Sequence, residues 1–274
     1  MIKKRPECFV ADSSDAISKL LTNCFEKVIP TSLKELQLDE WHTNTPIVVR
    51  GLTERKIMRF CLKTGRTFYY IDTGYMGNLQ KRKDWHRVVK NDVQHFTPRY
   101  DLPEDRFMRL PGANEKLRFR GWKNHDGPIL VVTPSEKPCM YYGITRDQWL
   151  FDTMQELKKH TDRKIIVRDK VGRVMRVGDN SVPAQIDRDQ IYALVTYNSI
   201  AATEAISSGI PAIATAPGAA DALCTKNIAD IENPYRADHD KVVAWQNWLA
   251  YCNFSTAELE NGTALSIIEE LNLC

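Results

Sequence analysis

An α/β fold of two Rossmann-like halves facing a cleft is predicted by three observations on the 274-residue sequence. Short apolar runs of strand length alternate with amphipathic helical stretches, a pattern that favours parallel sheets covered by helices. A stretch of hinge composition, GWKNHDGP from Gly121, divides the chain near its middle. Residues 193–215, ALVTYNSIAATEAISSGIPAIAT, read as a buried strand, a tight turn, a short helix and a second buried strand.

The N-terminal half opens with an apolar run over residues 8–11, a polar cluster over 12–15 and a helical pattern over 16–28. Pro46 introduces a strand at 47–49, residues 53–62 read as an amphipathic helix, and 67–71 form an aromatic and β-branched strand. From 78 to 120 the pattern is irregular and charged, with turn residues Pro98, Pro103, Pro111 and Gly112. The second α/β unit begins with a strand at 129–132 and continues through a helix at about 147–159 and a strand at 165–167. Strands at 193–196 and 212–215 complete it. The tail is helical: in VVAWQNWLAY, Trp245, Trp248 and Tyr251 share one face and are assigned to packing. Ser255-Thr-Ala-Glu258 is a capping-box signature before the last helix. The expected domains are therefore 1–123, 124–235 and the C-terminal helices 236–274, which pack back across the other two.

With 43% hydrophobic and 27% charged residues the chain has the composition of a soluble globular protein. No apolar run approaches the roughly 18 residues of a membrane span, and the N-terminus lacks signal-peptide features, so a cytoplasmic protein without a membrane partner is expected. Seven scattered cysteines without a CxxC pair indicate free thiols, and the six histidines form no ligand-spaced pair, so no metal is expected. Asp187-Arg188-Asp189 has a spacing that could hold a cation beside a diphosphate, but reads as a solvated turn or cap. The net charge of +3 hides an asymmetry: residues 1–123 carry 24 Lys and Arg against 15 Asp and Glu, and 124–274 carry 14 against 20. The basic half is the one suited to a polyanion. GxGxxG after a strand and GxxxxGK[ST] are both missing, which argues against dehydrogenases and kinases.

In the segment 193–215, Asn198 and Ser199 are N-cap residues whose side-chain oxygens accept first-turn N–H groups. Gly209 is a C′ stop and Pro211 keeps the helix from resuming. A strand, turn and helix of this kind leaves unpaired N–H groups at the carboxyl edge of a sheet, where phosphates bind, and Glu204 lies within reach of a ribose hydroxyl. The alternative is an ordinary βαβ unit with a satisfied cap.

VTYNSIAATEAISSGIPAI, together with the upstream TPS and IIVRDK, resembles the C-terminal domain of GT-B glycosyltransferases over about 125–220, and is similar to the Asn-Ser, Glu-Ala and Gly-Pro pattern of capsule-type transferases. More broadly, YYIDTGYMGN, WHRVVKND, TDRKIIVRDK and WLAYCNFSTAELENG resemble compact glycosyltransferases of tailed phages and some bacteria. The resemblance implies a nucleotide-sugar donor, such as UDP-glucose, no tightly bound cofactor and no required divalent metal. By analogy with bacteriophage DNA modification it implies, as one acceptor, a hydroxymethylated pyrimidine in double-stranded DNA, in the host cytoplasm if the chain is phage-encoded. A polysaccharide or small-molecule acceptor is a second possibility. A non-catalytic nucleic-acid-binding protein with a nucleotide-binding fold is a third.

Under that resemblance, three strand ends converge on the donor: Thr133 and Ser135, Arg168 and Lys170, Asn198 and Ser199. Hydroxyl and N–H groups cradle the diphosphate, and Arg168 or Lys170 neutralises charge on the leaving nucleotide in place of a metal. The bland alternatives are solvated strand ends and a turn before Pro138. In IDTGY, Asp72 follows an apolar strand and Gly74 permits a sharp turn, so the carboxylate sits at a carboxyl edge. There it either acts as general base with a raised pKa, orients the acceptor, or caps a turn. His86 is a second candidate base. Lys81, Arg82, Lys83 and Arg87 suit phosphates, with Trp85 stacking on an extruded base or anchoring the core.

Overall fold

Strands form where apolar runs can be buried on both faces. The computed structural model describes residues 4–11, 16–39, 44–77, 84–169 and 178–273. The chain begins with β1 (Arg5–Ala11), α1 (Ala16–Thr22), β2 (Phe25–Thr31), α2 (Leu33–Leu38), β3 (Ile47–Arg50), α3 (Arg55–Thr64), β4 (Phe68–Thr73) and β5 (Trp85–Lys90). It continues through α4 (Asp105–Met108), β6 (Ile129–Val132), α5 (Glu136–Tyr142), α6 (Arg146–His160), β7 (Ile165–Arg168) and α7 (Val182–Arg188). There follow β8 (Ala193–Thr196), α8 (Ala201–Ser207), β9 (Ala212–Ala214) and α9 (His239–Tyr251), then β10 (Asn253–Ser255), α10 (Thr256–Glu260) and α11 (Thr263–Glu270).

Two compact units result. One comprises the described residues of Met1–Tyr75, Lys83–His95 and Tyr251–Cys274; the other comprises those of Met76–Arg82 and Phe96–Ala250. The first holds a six-stranded sheet in the order β10-β5-β4-β3-β1-β2, and the second a four-stranded sheet in the order β7-β6-β8-β9. In the first, β2, β1, β3 and β4 are mutually parallel, whereas β5 and β10 are antiparallel additions. The second sheet is parallel throughout. Numbered within each unit, the parallel strands follow the same order, 2-1-3-4. The sequence carries no internal repeat, so this symmetry belongs to the architecture alone.

The first core joins Val48, Tyr69, Ile71 and Val88 from the sheet to Phe254, Leu259, Leu265 and Ile268 from the tail. The C-terminal helices thus divide as follows: α9 belongs to the second unit, and the chain returns at Tyr251 to cover the first sheet. The predicted capping box forms, with Ser255 Oγ accepting from the Glu258 N–H and the Glu258 carboxylate accepting from the Ser255 N–H. Trp245 and Trp248 are buried, as their packing role requires. The second core gathers Ile129, Val131, Trp149, Leu157, Val195 and Ile213.

Three segments depart from the sequence expectation. The helix expected over 16–28 stops at Thr22, and Phe25–Thr31 becomes an edge strand, because pairing with β1 along Arg5↔Phe25 to Ala11↔Thr31 satisfies its backbone and buries Phe25. WHRVVK, placed in an irregular stretch, is β5; its Val88 and Val89 are fully buried and its register with β4 runs from Tyr69↔Lys90 to Thr73↔His86. The presumed hinge at Gly121 is strapped along the second unit. The Trp122 indole N–H donates to the Ala237 carbonyl at 2.8 Å and the Lys123 N–H to the Gly209 carbonyl at 2.7 Å. The Lys123 ammonium also pairs with Asp187. The division between units therefore falls at 95/96 and 250/251 rather than at 123/124.

Gly209 acts as the expected helix stop. Its φ is +84°, its N–H donates to Ile206 O, and the Ile210 N–H donates back to Ala205 O, a Schellman closure of α8. A Cβ there would lie 2.4 Å from the Gly121 carbonyl oxygen. Gly65, at φ +73° past α3, has open space around it. Gly65→Ala is therefore expected to cost about 1 kcal/mol, the left-handed strain alone, and Gly209→Ala about 2 kcal/mol or more, read from urea denaturation midpoints at constant m-value.

Candidate functional site

In the second unit the reversal of strand order lies between β6 and β8: the connection from β6 runs to β7 on one side, that from β8 to β9 on the other. Loops leaving such neighbours in opposite directions open a crevice at the carboxyl edge, where ligands of α/β sheets bind. The loops here are residues 133–135 and 197–200. The strand ends are tied by the Thr196 hydroxyl donating to the Val132 carbonyl at 2.9 Å.

Several of the candidate residues are engaged with their neighbours. Thr133 is buried and its hydroxyl donates to Asp169 Oδ1 at 3.0 Å, so it supports the edge instead of presenting its hydroxyl to a diphosphate. Asp169 in turn lies 3.6 Å from the Arg146 guanidinium. Ser135, half-buried, occupies the N-cap position of α5 and its carbonyl accepts from the Cys139 N–H. Arg168 closes β7 with its guanidinium on Gln185 Oε1 at 2.6 Å and on the Asn180 carbonyl. Lys170 lies outside the described residues. The N-cap position of α8 falls on Ile200, not on Asn198 or Ser199 as expected; Ser199 stands just before it, its Oγ accepting from the Ala201 N–H at 3.3 Å and its carbonyl from the Ala202 N–H. Asn198 is buried beneath the loop that follows β9, with its carbonyl oxygen 3.4 Å from where a Gly218 Cβ would stand. Glu204 is half-buried on α8. Behind this edge Tyr197 meets Tyr142 and Trp149 edge-on, and the Trp149 indole donates to Thr215 Oγ1 at 2.8 Å. The carboxylates of Asp187 and Asp189 are taken by Lys123 and by Arg188 with Gln185, so that motif acts as a helix-end structure.

At the carboxyl edge of the first sheet stands a tighter cluster. Asp72 is the penultimate residue of β4; Arg50 ends the adjacent β3, and Arg87 lies directly opposite Asp72 on β5. Asp72 Oδ1 accepts from Arg50 Nη1 at 3.1 Å and the Thr73 N–H at 2.7 Å; Oδ2 accepts from the Tyr70 hydroxyl at 2.8 Å and Arg87 Nη2 at 3.3 Å. A carboxylate offers about four lone-pair sites, and all are used. Burial alone would raise the Asp72 pKa, but the Arg87 and Arg50 guanidiniums, the Thr73 N–H and the Tyr70 hydroxyl outweigh it and hold the carboxyl well below the usual aspartate range. The raised pKa expected of a base is thereby corrected: Asp72 is an anchored anion with no open lone pair for an incoming proton.

The neighbours follow suit. Arg87 is buried, donates also to the Thr73 carbonyl, and lies over the Tyr70 and Tyr75 rings, so it is built into the edge rather than extended toward a phosphate. His86 has no exposed surface and is packed in the sheet, which removes it as a base in this conformation. Trp85 is half-buried at the start of β5, its carbonyl accepting from the Gly74 N–H. Lys81, Arg82 and Lys83 lie outside the described residues. Gly74 is needed for close approach, not for a special φ: a Cβ would sit 2.6 Å from Asn253 Oδ1, the atom that accepts from the Tyr75 N–H. His95, buried 3.2 Å from the Tyr75 hydroxyl, is pushed down to about 3 by burial and by Arg87, and stays neutral. Sequence reasoning missed Arg50, although IVVR at 47–50 carries the same signal as IIVR at 165–168: a base closing an apolar run of strand length.

None of the protein-family models matches the sequence, and no curated protein does. Solved structures do. The chain is similar to the β-Kdo 2,7 transferase of Thermosulfurimonas dismutans KpsC at 14% identity and a TM-score of 0.56, covering 93% of this chain and 99% of that one. A β-Kdo 2,4 transferase of the same protein aligns at 12% identity and a TM-score of 0.46, covering 86% and 89%. The likeness is one of fold, two α/β units of the GT-B type.

Asp72→Asn leaves the buried Arg87 and the half-buried Arg50 with one fewer counter-charge and is expected to cost about 2 kcal/mol at pH 7. Because the folded pKa is depressed, the aspartate's contribution is complete above its ordinary pKa near ~3.9 and is lost as pH falls toward the folded value. The stability gap between wild type and Asp72→Asn, measured by denaturation, should therefore narrow steadily below about pH 4.

Proposed function

We propose that the protein is a glycosyltransferase that draws its sugar from a nucleotide-sugar held at the carboxyl edge of the second unit. The observation that carries this is the strand-order reversal between β6 and β8, flanked by Ser135 on one loop and Asn198 and Ser199 on the other. The full-length likeness in fold to a solved glycosyltransferase supports the same reading. Ser135, Ser199 and the loop amides hold the diphosphate, Glu204 takes the ribose, and Arg168 and Lys170 counter the charge that grows on the departing nucleotide. Catalysis of this kind is positioning and electrostatics, which a rigid strand edge provides.

The first unit receives the acceptor hydroxyl. With its four lone pairs committed, Asp72 serves to hold Arg50 and Arg87 in place at that edge. UDP-glucose and a hydroxymethylated pyrimidine in DNA remain our specific donor and acceptor, supported by the excess of Lys and Arg in residues 1–123. The Kdo transferase named for the similar structure makes a Kdo-bearing donor the second to test.

A thermal-shift panel of UDP-, GDP-, dTDP- and CMP-linked sugars is expected to give one nucleotide class that raises Tm by several degrees at saturating concentration. Ser199→Ala and Glu204→Ala should abolish that shift, and Asp72→Asn should keep it. Incubation of the stabilising donor with hydroxymethylated duplex DNA, digestion to nucleosides and mass spectrometry then reads the acceptor. A panel with no shift and no transfer overturns the assignment.

A further inference from the structure

We propose that Tyr100, Tyr235 and Lys241 in the second unit form a surface site for a neutral carbohydrate chain, apart from the nucleotide-sugar edge. The Lys241 ammonium lies 5.9 Å from the centre of the Tyr100 ring and 5.7 Å from that of Tyr235, and it donates to the Tyr235 hydroxyl at 3.2 Å. One cation is thus flanked by two aromatic rings, drawn from three segments of the chain. Both residues stay open to water, Tyr100 43% and Tyr235 42% exposed.

The rings are held out by fixed backbone. The Tyr235 N–H donates to Thr225 Oγ1 at 2.7 Å, Pro234 and Ala237 nearby are buried, and the Ala237 carbonyl holds the Trp122 indole. Lys241 is the third residue of α9, which is seated by the buried Val242 and Trp245. Leu102, two residues past Tyr100, is buried as well, and Arg99 and Asp101 on either side of Tyr100 pair with each other. The segment that carries Tyr235 runs along the amino edge of the second sheet. There the hydroxyl of Tyr192, the residue before β8, donates to the Glu232 carbonyl at 2.8 Å, and the Arg236 guanidinium lies 5.9 Å from the Tyr192 ring centre. The nucleotide-sugar site proposed above is at the opposite, carboxyl edge.

A pyranose ring presents C–H groups on its faces and hydroxyls around its rim. Exposed tyrosines take the faces, removing apolar surface of both partners from water, while an ammonium and carboxylates donate to and accept from the hydroxyls. Both kinds of group are present: Asp101 follows Tyr100, and Asp238 lies close enough to Lys241 to act on its charge. Across residues 99–101 and 235–241 the cations Arg99, Arg236 and Lys241 are matched by Asp101, Asp238 and Asp240. The surface therefore lacks the excess of positive charge that a phosphodiester or an acidic polymer needs, and its carboxylates repel one. A neutral glycan is the occupant this chemistry selects. The inference does not rest on the sugar-transfer assignment, because binding is read without any donor.

The test is native electrophoresis of the full chain through gels containing dextran, amylopectin or galactomannan, with alginate as the anionic control. At least one of the neutral polymers is expected to retard the wild type. Tyr100→Ala with Tyr235→Ala should raise the apparent Kd for that polymer about tenfold, whereas Tyr100→Phe with Tyr235→Phe should keep most of the binding, since the ring faces make the contact. Lys241→Gln should lose a few-fold. Circular dichroism and Tm establish that each variant is folded, and Tyr235→Ala alone replaces the double variant if that one is not. Wild-type protein retarded by none of the three neutral polymers overturns the proposal, as does an alanine variant retarded as strongly as the wild type. Retardation by alginate alone assigns the surface to polyanions and also overturns it.

Discussion

Ile47, Val48 and Val49 in one sheet and Ile129, Leu130 and Val131 in the other have no exposed surface, and this two-sided burial is the constraint on which the rest depends. A parallel strand hydrogen-bonded to both neighbours and buried on both faces needs helices above and below. Each connection must therefore leave the sheet, pack on it and return. The loops that leave the parallel strands all open at the carboxyl edge, and the 2-1-3-4 order in each unit makes neighbouring ones part in opposite directions at one point. The chemistry-bearing side chains stand where they do because backbone burial has left nowhere else for them. Thr133, Ser135, Asn198 and Ser199 sit at one carboxyl edge, and Arg50 and Asp72 at the other.

Asp72 shows what such an edge does to an ionisable group. Taking guanidiniums out of water is expensive, and Arg50 and Arg87 are tolerated because a single carboxylate, a carbonyl on each and two tyrosine rings beside Arg87 surround them. The cost is chemical: a carboxylate saturated by four donors is a poor proton acceptor. The residue most like a catalytic base in the sequence becomes the structural centre of its unit's edge, and two arginines, one of them absent from the sequence argument, become its partners.

Local signals survived where a single turn of chain satisfies its own backbone. Gly209 closes α8 by two hydrogen bonds within six residues, and Ser255 and Glu258 cap each other across three. Such motifs need no distant partner, so the residues announce them. WHRVVK looked like a charged loop because its strand identity depends on β4 on one side and β10 on the other, the latter more than 160 residues away in the chain. Residues 25–28 looked helical until β1 offered Phe25–Thr31 a ladder. The apparent hinge at Gly121 has loop composition, but its indole, amide and ammonium groups are all satisfied by the second unit.

By itself the sequence determined the α/β class, the apolar strands other than β2, β5 and β10, the stop of α8 at Gly209 and the strand ends where polar residues gather, because apolar periodicity, propensity and capping act within a few residues. Only the tertiary structure decided which of those polar residues are spent on one another. Thr133 is committed to Asp169, and Asp72 to Arg50, Arg87 and Tyr70, by partners up to 36 residues apart in the chain. Hydrogen-bond saturation and the electrostatic field at a carboxylate are sums over spatial neighbours, and those neighbours are chosen by strand order rather than by position along the chain.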